Sequence, residues 1–350
     1  MSAAVFLLGA VAIGCVPAAR MLANASWPRR SPAVAIALWQ ALGLGWGVAT
    51  VGALIGFGAS GLRGRSGIGL AGVAGAVPRA AMLLLGRGSG MRQRWDMMTA
   101  VREVSLVAGT LLFALLCWVL ADAIASVVRA RHRQRALLQL LAHDDPKVPG
   151  ALVVDHPAAA AYCVPGLRSA IVISAGTIDL LDQAELAAVL AHERAHLRAR
   201  HDLVLLPFTA LLRAFRWSAV AREANRAVAL LVEMMADDRA RRRLPARELA
   251  TALLRVGTSG GGGAPAGALA VNGGFRGSVL IRQSWMGGFE GPTGAHGPHA
   301  AAAMMHSDLG ARVTRLLRPP PGLSLAAMVL LGAIAAALVA APAIALLLPM

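Results

Sequence analysis

The chain has 350 residues, of which 57% are hydrophobic and 15% are charged. This composition excludes an ordinary water-soluble protein, in which about 25% of residues are charged, and predicts a membrane protein. The net charge of +16 comes from 34 basic residues, all arginine except Lys147, against 18 acidic ones. No nucleic-acid-binding module is recognisable, so we expect these arginines to flank membrane spans and meet anionic lipid headgroups.

Four apolar segments are long enough to cross a membrane as helices. Their bounds are Ala3 to Ala19, Ala33 to Ala59, Val104 to Val128 and Leu323 to Leu348. The first segment is followed by arginines and preceded by none, which predicts an uncleaved span rather than a signal peptide. Asp122, near the end of the third segment, is expected to contact the arginines that follow it.

A weaker apolar patch from Ile68 to Leu85 is interrupted by Pro78 and Arg79. We interpret it as a surface or re-entrant segment, which leaves four spans and places the soluble domain that follows them in the cytoplasm. The positive-inside rule supports this orientation, because arginines directly follow the third span. They are Arg129, Arg131, Arg133 and Arg135. If the patch crosses the membrane, the domain faces the other side.

Residues 151 to 174 predict a small sheet. Its strands are three short apolar runs with proline or glycine between them, Ala151 to Asp155, Ala159 to Cys163 and Ala170 to Ser174. Leu203 to Leu212 is too short to span a membrane and contains Pro207, so we expect it to contact the core or the membrane surface. The predicted organisation is a membrane module at 1–128, a soluble domain at 129–318 with a glycine-rich flexible loop at 257–299, and a closing span at 319–350.

The most specific motif is His192-Glu193-Arg194-Ala195-His196. On a helix, histidines four residues apart lie on one face, where both can bind one metal ion. Glu193 leans over the same side and is the candidate general base of a zinc peptidase. Chance placement of these residue types gives about 0.005 occurrences in a chain of this composition, so coincidence is a weak alternative. Asp182 followed by Glu185 predicts a capping box at the start of this helix.

A catalytic zinc ion needs a third protein ligand, for which we choose Glu233. This residue lies in the apolar run Leu230 to Ala236, where a carboxylate is costly unless a cation faces it. Asp237, one turn later, can accept a hydrogen bond from a ligand imidazole. The alternative is a solvated acidic patch on an amphipathic helix. Lesser ligand candidates are Glu223, His201 and Asp202.

Several segments resemble the BlaR/MecR-type family of integral membrane zinc peptidases. They are Ala161-Tyr162-Cys163-Val164-Pro165-Gly166, Ile171-Val172-Ile173-Ser174, the helix with His192 to His196, Arg200-His201-Asp202, Glu233 to Asp237 and Ala311 to Leu317. The resemblance covers roughly residues 130 to 318. It implies a mainly α membrane protein with an α+β zincin-like (gluzincin) metallopeptidase domain inserted between transmembrane helices.

The same resemblance implies a multi-pass zinc endopeptidase of the plasma membrane with one Zn2+ per chain. The implied ligands are His192, His196 and Glu233, and the implied base is Glu193. In the best-known members the peptidase relieves repression by a DNA-binding repressor. The expected partners are therefore a protein or peptide substrate, with a transcriptional repressor among the candidates, and membrane lipids, without direct nucleic-acid binding. The best-known members also carry a penicillin-binding sensor domain after the last span. We expect no such domain here, since the sequence stops after its last apolar run.

Two alternatives stay open. HtpX-like and CAAX-processing membrane peptidases share the HExxH motif and the downstream glutamate, but they often place further spans after the metal helix. The sequence predicts none between His196 and Glu233, which favours the BlaR/MecR type. A non-catalytic membrane sensor or scaffold would instead hold zinc structurally and would need a fourth ligand, for which Cys163 or His201 is the candidate. A peptidase also needs a donor to the oxyanion, and the sequence leaves Tyr162 and His306 as equal candidates.

Overall fold

The computed structural model describes residues 3–60, 97–164, 169–259 and 298–347. The predicted patch Ile68 to Leu85 and almost all of the predicted loop at 257–299 lie outside these residues. The described helices are α1 (Ala3–Asn24), α2 (Pro32–Ala59), α3 (Met97–Leu141), α4 (Ala175–Leu180), α5 (Gln183–Ala199), α6 (His201–Ala214), α7 (Ala219–Ala240), α8 (Ala246–Ser259), α9 (Pro298–Leu317) and α10 (Leu325–Leu347). The described strands are β1 (Ala142–Asp144), β2 (Leu152–Val154), β3 (Ala161–Val164) and β4 (Ala170–Ser174).

Helices α1, α2, α3 and α10 are long and apolar enough to cross a membrane. They coincide with the four spans expected from the sequence. Helix α2 packs against the other three, and small residues allow the close approach. At Gly58, for example, an added Cβ would lie only 2.6 Å from the Cβ of Leu106 on α3.

Helix α3 extends beyond the predicted end of the third span at Val128 and continues without a break to Leu141. The residues after Val128 are mostly arginine, alanine, leucine and glutamine, which favour helix as strongly as the apolar span does. The change in hydropathy therefore marks a change of surroundings and not the end of the helix. This extension brings α3 into contact with α6, β1 and β3.

Within the described residues, the sheet has four strands in the order β1-β2-β4-β3. Strand β2 pairs parallel with β4, whereas β1 with β2 and β3 with β4 pair antiparallel. The three expected strands are present, β4 with the predicted bounds and β2 and β3 with slightly shifted ones, and β1 was not predicted. Because β3 is at the end of the strand order and contacts α5, the sheet places this strand beside the helix with the HExxH motif.

Two apolar cores meet at the metal motifs. One core joins the sheet, α5, α8 and α9 through residues such as Ile173, Val189 and Leu253. The other core joins α1 and α2 to α6 and α7 through residues such as Trp39 and Val228. Helices α6 and α7 therefore form a hairpin that packs directly against the apolar helices.

Candidate metal centre

Local interactions hold the motif helix α5 at both ends. The Asp182 carboxylate accepts a hydrogen bond from the Glu185 amide at 2.9 Å, and the Glu185 carboxylate accepts one from the Asp182 amide at 3.0 Å. This is the capping box that the sequence predicted. The helix ends at Arg200, whose positive φ of 47° turns the chain into α6. Its apolar face, which includes Leu186 and Val189, packs into the sheet-side core.

This packing leaves His192, Glu193 and His196 buried on α5, while α7 brings Glu233 to the same place. The Nε2 atoms of the two histidines are 3.1 Å apart. The Glu233 carboxylate oxygens lie 3.5 Å from Nε2 of His192 and 3.7 Å from Nε2 of His196. Two ligand motifs 37 positions apart in sequence thus converge on one point.

The three donors fit a zinc ion. In a tetrahedral site with bonds of about 2.0–2.1 Å, ligand atoms lie roughly 3.4 Å from one another, close to all three observed separations. Among the described residues, the group of His, Cys, Asp and Glu side chains able to hold a metal ion contains His192, His196 and Glu233 and no fourth member. Three protein ligands with one open position are the donor set of a catalytic zinc site rather than a structural one.

Glu233 is ionised in spite of its burial. Desolvation alone would raise the pKa of its carboxyl group, but His196 and Arg312 beside it hold that pKa well below its usual value. A carboxylate must be deprotonated to bind a metal ion, so these neighbours keep the ligand in its binding form. The sequence analysis expected a cation to face this buried carboxylate, and Arg312 is such a cation.

Asp237 lies behind the first ligand. Its Oδ1 atom is 3.0 Å from Nδ1 of His192, the ring nitrogen that points away from Glu233 and His196. Desolvation would raise the pKa of Asp237, but Arg312 lowers it to about 2. Burial would lower the pKa of His192, but the hydrogen bonds with Asp237 and Glu233 raise it to about 9. A fixed carboxylate at Nδ1 orients the ring and directs Nε2 at the metal position.

Arg312 on α9 completes the cluster, and sequence reasoning did not assign it to the site. Only 1% of its surface is exposed. Its Nε and Nη2 atoms donate to the two Asp237 oxygens at 2.8 and 2.7 Å, and its Nη1 atom lies 3.3 Å from Glu233. The sequence spacing could have indicated that Arg312 is buried. It lies three residues after Leu309 and four before Leu316, so it shares the helix face on which both leucines pack in the core. An arginine on an apolar helix face requires buried carboxylate partners.

Glu193 is completely buried and belongs to the same electrostatic cluster. Its negative charge contributes to raising the pKa values of both Cys163 and Arg312. It is not a member of the three-residue ligand group. This placement is compatible with a general base that acts beside the metal without binding it.

The lesser ligand candidates lie elsewhere. The Nδ1 atom of His201 is 2.9 Å from Nδ1 of His196, on the side of that ring away from the metal position. Burial lowers the pKa of His201 to about 3, so its ring is neutral. The Asp202 carboxylate accepts a hydrogen bond from Arg131 of the α3 extension. Glu223 is exposed on the first turns of α7.

Two of the candidates for a fourth ligand or an oxyanion donor, Cys163 and Tyr162, have described side chains. Burial, followed by the charge of Glu193, raises the pKa of the Cys163 thiol, and Cys163 is not a member of the three-residue group able to hold a metal ion. Burial raises the pKa of the Tyr162 hydroxyl, and Gln134 on the α3 extension partly offsets this effect. The side chain of His306 lies outside the described residues.

Comparison with protein families gives one finding for this region. The model of Peptidase family M48 matches residues 128–246, which contain both metal motifs and the sheet. The match supports a metallopeptidase hydrolase of a membrane-associated type, and it does not separate the BlaR/MecR type from others. Comparison with curated proteins and with solved structures finds no significant match.

Proposed function

We propose that this chain is an integral membrane zinc endopeptidase that hydrolyses a protein substrate. The proposal depends chiefly on one observation, the buried group of His192, His196 and Glu233 with Glu193 beside it. The donor atoms are spaced for zinc, and the fourth position is left for a reacting group. A carboxylate adjacent to such a position is the arrangement that metal-assisted hydrolysis needs.

The chemistry that zinc supplies when bound is a lowered pKa for a water molecule and polarisation of the scissile carbonyl. The Glu193 carboxylate accepts the proton of the attacking water and afterwards delivers it to the leaving amine. Asp237 holds the His192 ring in the orientation that directs Nε2 at the site. Arg312 fixes the Asp237 carboxylate from behind and keeps Glu233 ionised. Burial of the cluster excludes bulk water and strengthens each of these electrostatic contacts.

The substrate that we favour is a regulatory protein, for example a transcriptional repressor as in BlaR/MecR-like signalling. A second candidate is quality control of membrane proteins, as in HtpX-like peptidases. One observation favours this second role. The α6–α7 hairpin, which lies between the two ligand motifs, packs against α2 and α3, and HtpX-like peptidases commonly have membrane segments at this point of the chain.

A proteome comparison tests the proposed function and separates the two roles. Cells that carry the natural chain are compared with cells that carry Glu193→Ala, and proteins that accumulate uncut in the variant are identified. One uncut soluble regulator is expected for the signalling role, whereas many uncut membrane proteins would support quality control. Identical proteomes under every growth condition tested would argue against proteolysis and for a zinc-containing sensor or scaffold.

We propose the plasma membrane as the location, with a membrane module at 1–128, a cytoplasmic peptidase domain at 129–318 and a closing span at 319–350. Labelling of an exposed residue tests the orientation. In a chain whose three cysteines are replaced by alanine, Thr258→Cys on α8 is expected to react with a membrane-impermeant maleimide only after the cells are opened. Reaction in intact spheroplasts would place the domain outside.

A further inference from the structure

The turn between α6 and α7 lies against the apolar helices rather than in the peptidase core. The ring of Phe215 packs edge-on against Trp46 of α2, with 5.7 Å between the ring centroids. On its other side Phe215 contacts Trp217 at 6.1 Å. Trp217 has 80% of its surface exposed, so the turn presents a large aromatic ring to its surroundings.

Neighbouring contacts fix the depth of this turn relative to the apolar helices. Helices α2 and α3 run antiparallel, since Gly58 adjoins Leu106 and Gly47 adjoins Leu116. Continuing this register for one more heptad places Gln40 of α2 about level with Asp122 of α3. From position 40 to position 58, α2 measures about 27 Å, close to the roughly 30 Å of a bilayer's hydrocarbon core.

We therefore place one lipid–water boundary near Gln40 and Asp122, the polar residues at this level of α2 and α3, and the other near Gly58. Arg213, at the end of α6, lies at the same level, because its Nη1 atom is 3.3 Å from Asp122 and 3.0 Å from the Ser126 hydroxyl. The chain then continues past Arg213 to Phe215, whose partner Trp46 lies about 9 Å further along α2 into the apolar bundle. The aromatic turn is thus on the lipid side of the boundary.

The charges around the turn complement a membrane surface. Residues 213 to 226 contain four arginines and one glutamate, Glu223. Arg216 and Arg222 are exposed, and Arg222 donates a hydrogen bond to the backbone oxygen of Arg216 at 2.8 Å, which keeps the Arg222 guanidinium beside the turn. Long arginine side chains extend from a shallow membrane position back to the headgroups, where anionic lipids attract them.

We propose that the turn 215–218 is a membrane-docking tip, which inserts Phe215 and Trp217 into the leaflet on the peptidase side and binds anionic phospholipid headgroups through Arg216 and Arg222. Tryptophan is enriched at this depth because its ring is apolar while its N–H group meets water. The proposal rests on the proposed function, since it requires the four apolar helices to span the bilayer.

The tip also sets the height of the metal centre. Helix α6 connects the tip directly to His201, which contacts the ligand His196. Arg213 comes twelve helical positions after His201, so the site lies at most about 18 Å above the hydrocarbon boundary. An extended peptide covers this height in roughly five or six residues. This height suits the second proposed role, in which a membrane-anchored protein is cut within a few residues of its span.

Depth-dependent fluorescence quenching tests the tip. The full chain with its three cysteines replaced by alanine is placed in nanodiscs, and single cysteines at Trp217, Leu111 and Leu254 carry an environment-sensitive fluorophore. Leu111 on α3 and Leu254 on α8 are exposed apolar residues that serve as the deep and the solvent control. We expect the label at 217 to be quenched most by lipids with the quencher near the headgroup, the label at 111 by lipids with the quencher near the chain end, and the label at 254 by neither.

Anionic lipid is the second arm of the experiment. The label at 217 should be quenched more strongly in nanodiscs that contain phosphatidylglycerol than in phosphatidylcholine alone, and the double variant Arg216→Gln, Arg222→Gln should remove the difference. Quenching at 111 without quenching at 217 would overturn the docking tip and leave the membrane location intact. Absence of quenching at both positions would overturn the membrane location itself. Equal zinc content in all labelled chains shows that the replacements leave the fold intact.

Discussion

Replacing Arg312 by methionine should destabilise the protein far more than the same replacement at Arg315. Methionine keeps much of the side-chain length but removes the charge that faces Asp237 and Glu233. Both carboxylates are buried, with 1% and 7% exposure, so neither can be solvated by water instead. Removing one partner of a buried ion pair costs about 3–5 kcal/mol. Arg315 forms a similar two-bond contact with Asp238, but that carboxylate is 21% exposed, and its loss should cost about 1 kcal/mol.

These free energies correspond to different melting temperatures. At roughly 2–4 °C per kcal/mol, Arg312→Met should lower the apparent Tm of the zinc-loaded protein by about 6–20 °C, and Arg315→Met by about 2–4 °C. Calorimetry or tryptophan fluorescence in detergent measures both. Equal shifts for the two variants would refute the view that the Arg312 cluster is a desolvated charge network.

The same variant should show a characteristic pH dependence. In the natural chain Arg312 holds the pKa of Asp237 at about 2, so this group contributes a constant stability at neutral pH. Without Arg312, burial raises the pKa of Asp237 above its value in the unfolded chain. The folded variant then binds more protons than the unfolded one, and its stability falls as the pH rises. The Tm difference from the natural chain should therefore narrow as the pH is lowered from 8, whereas a constant difference would contradict the reasoning.

Three further predictions concern the metal. Glu233→Ala should lower zinc content, measured by mass spectrometry of the purified chain, whereas Glu223→Ala should not; the reverse result would show that the wrong carboxylate was chosen. Asp237→Ala should weaken zinc binding by roughly ten- to a hundredfold in competition with a fluorescent chelator, because the His192 ring loses its fixed partner, and unchanged affinity would remove Asp237 from the site. Zinc affinity should fall by up to about tenfold per pH unit below pH 9, because the carboxylates of Asp237 and Glu233 raise the pKa of His192 to about 9 and its ring must lose a proton before the metal binds; affinity independent of pH between 7 and 9 would contradict this.

The local parts of the site could be predicted because their signals lie within single helices. The capping box depends on residues three apart, and the His192–His196 pair depends only on the helical period. Glu233 could be proposed because a carboxylate in an apolar run needs a cationic partner. None of these inferences required knowledge of how distant segments pack.

The parts that sequence reasoning missed depend on distant packing. Arg312 lies 75 residues after Asp237, across the glycine-rich stretch, so no spacing rule connects the two. Strand β1 has three residues, of which His143 and Asp144 are polar, and its conformation comes only from pairing with β2. The pairing of Arg213 with Asp122 was likewise unforeseen, although the contact expected between Asp122 and a following arginine is present, at 3.7 Å from Arg129. Hydropathy identified the apolar helices and not their partners.

The most direct test of the proposed hydrolysis is a paired measurement of zinc content and peptide cleavage in Glu193→Gln. The replacement keeps the size of the buried side chain and removes its capacity to accept a proton. We expect zinc content equal to that of the natural chain and cleavage of a labelled unfolded protein reduced by roughly 10²- to 10⁴-fold, since Glu193 acts as the base and is not a ligand. Glu223→Gln, an exposed change on α7, should leave both unchanged. Near-normal cleavage by Glu193→Gln, or loss of zinc together with activity, would contradict the assigned role.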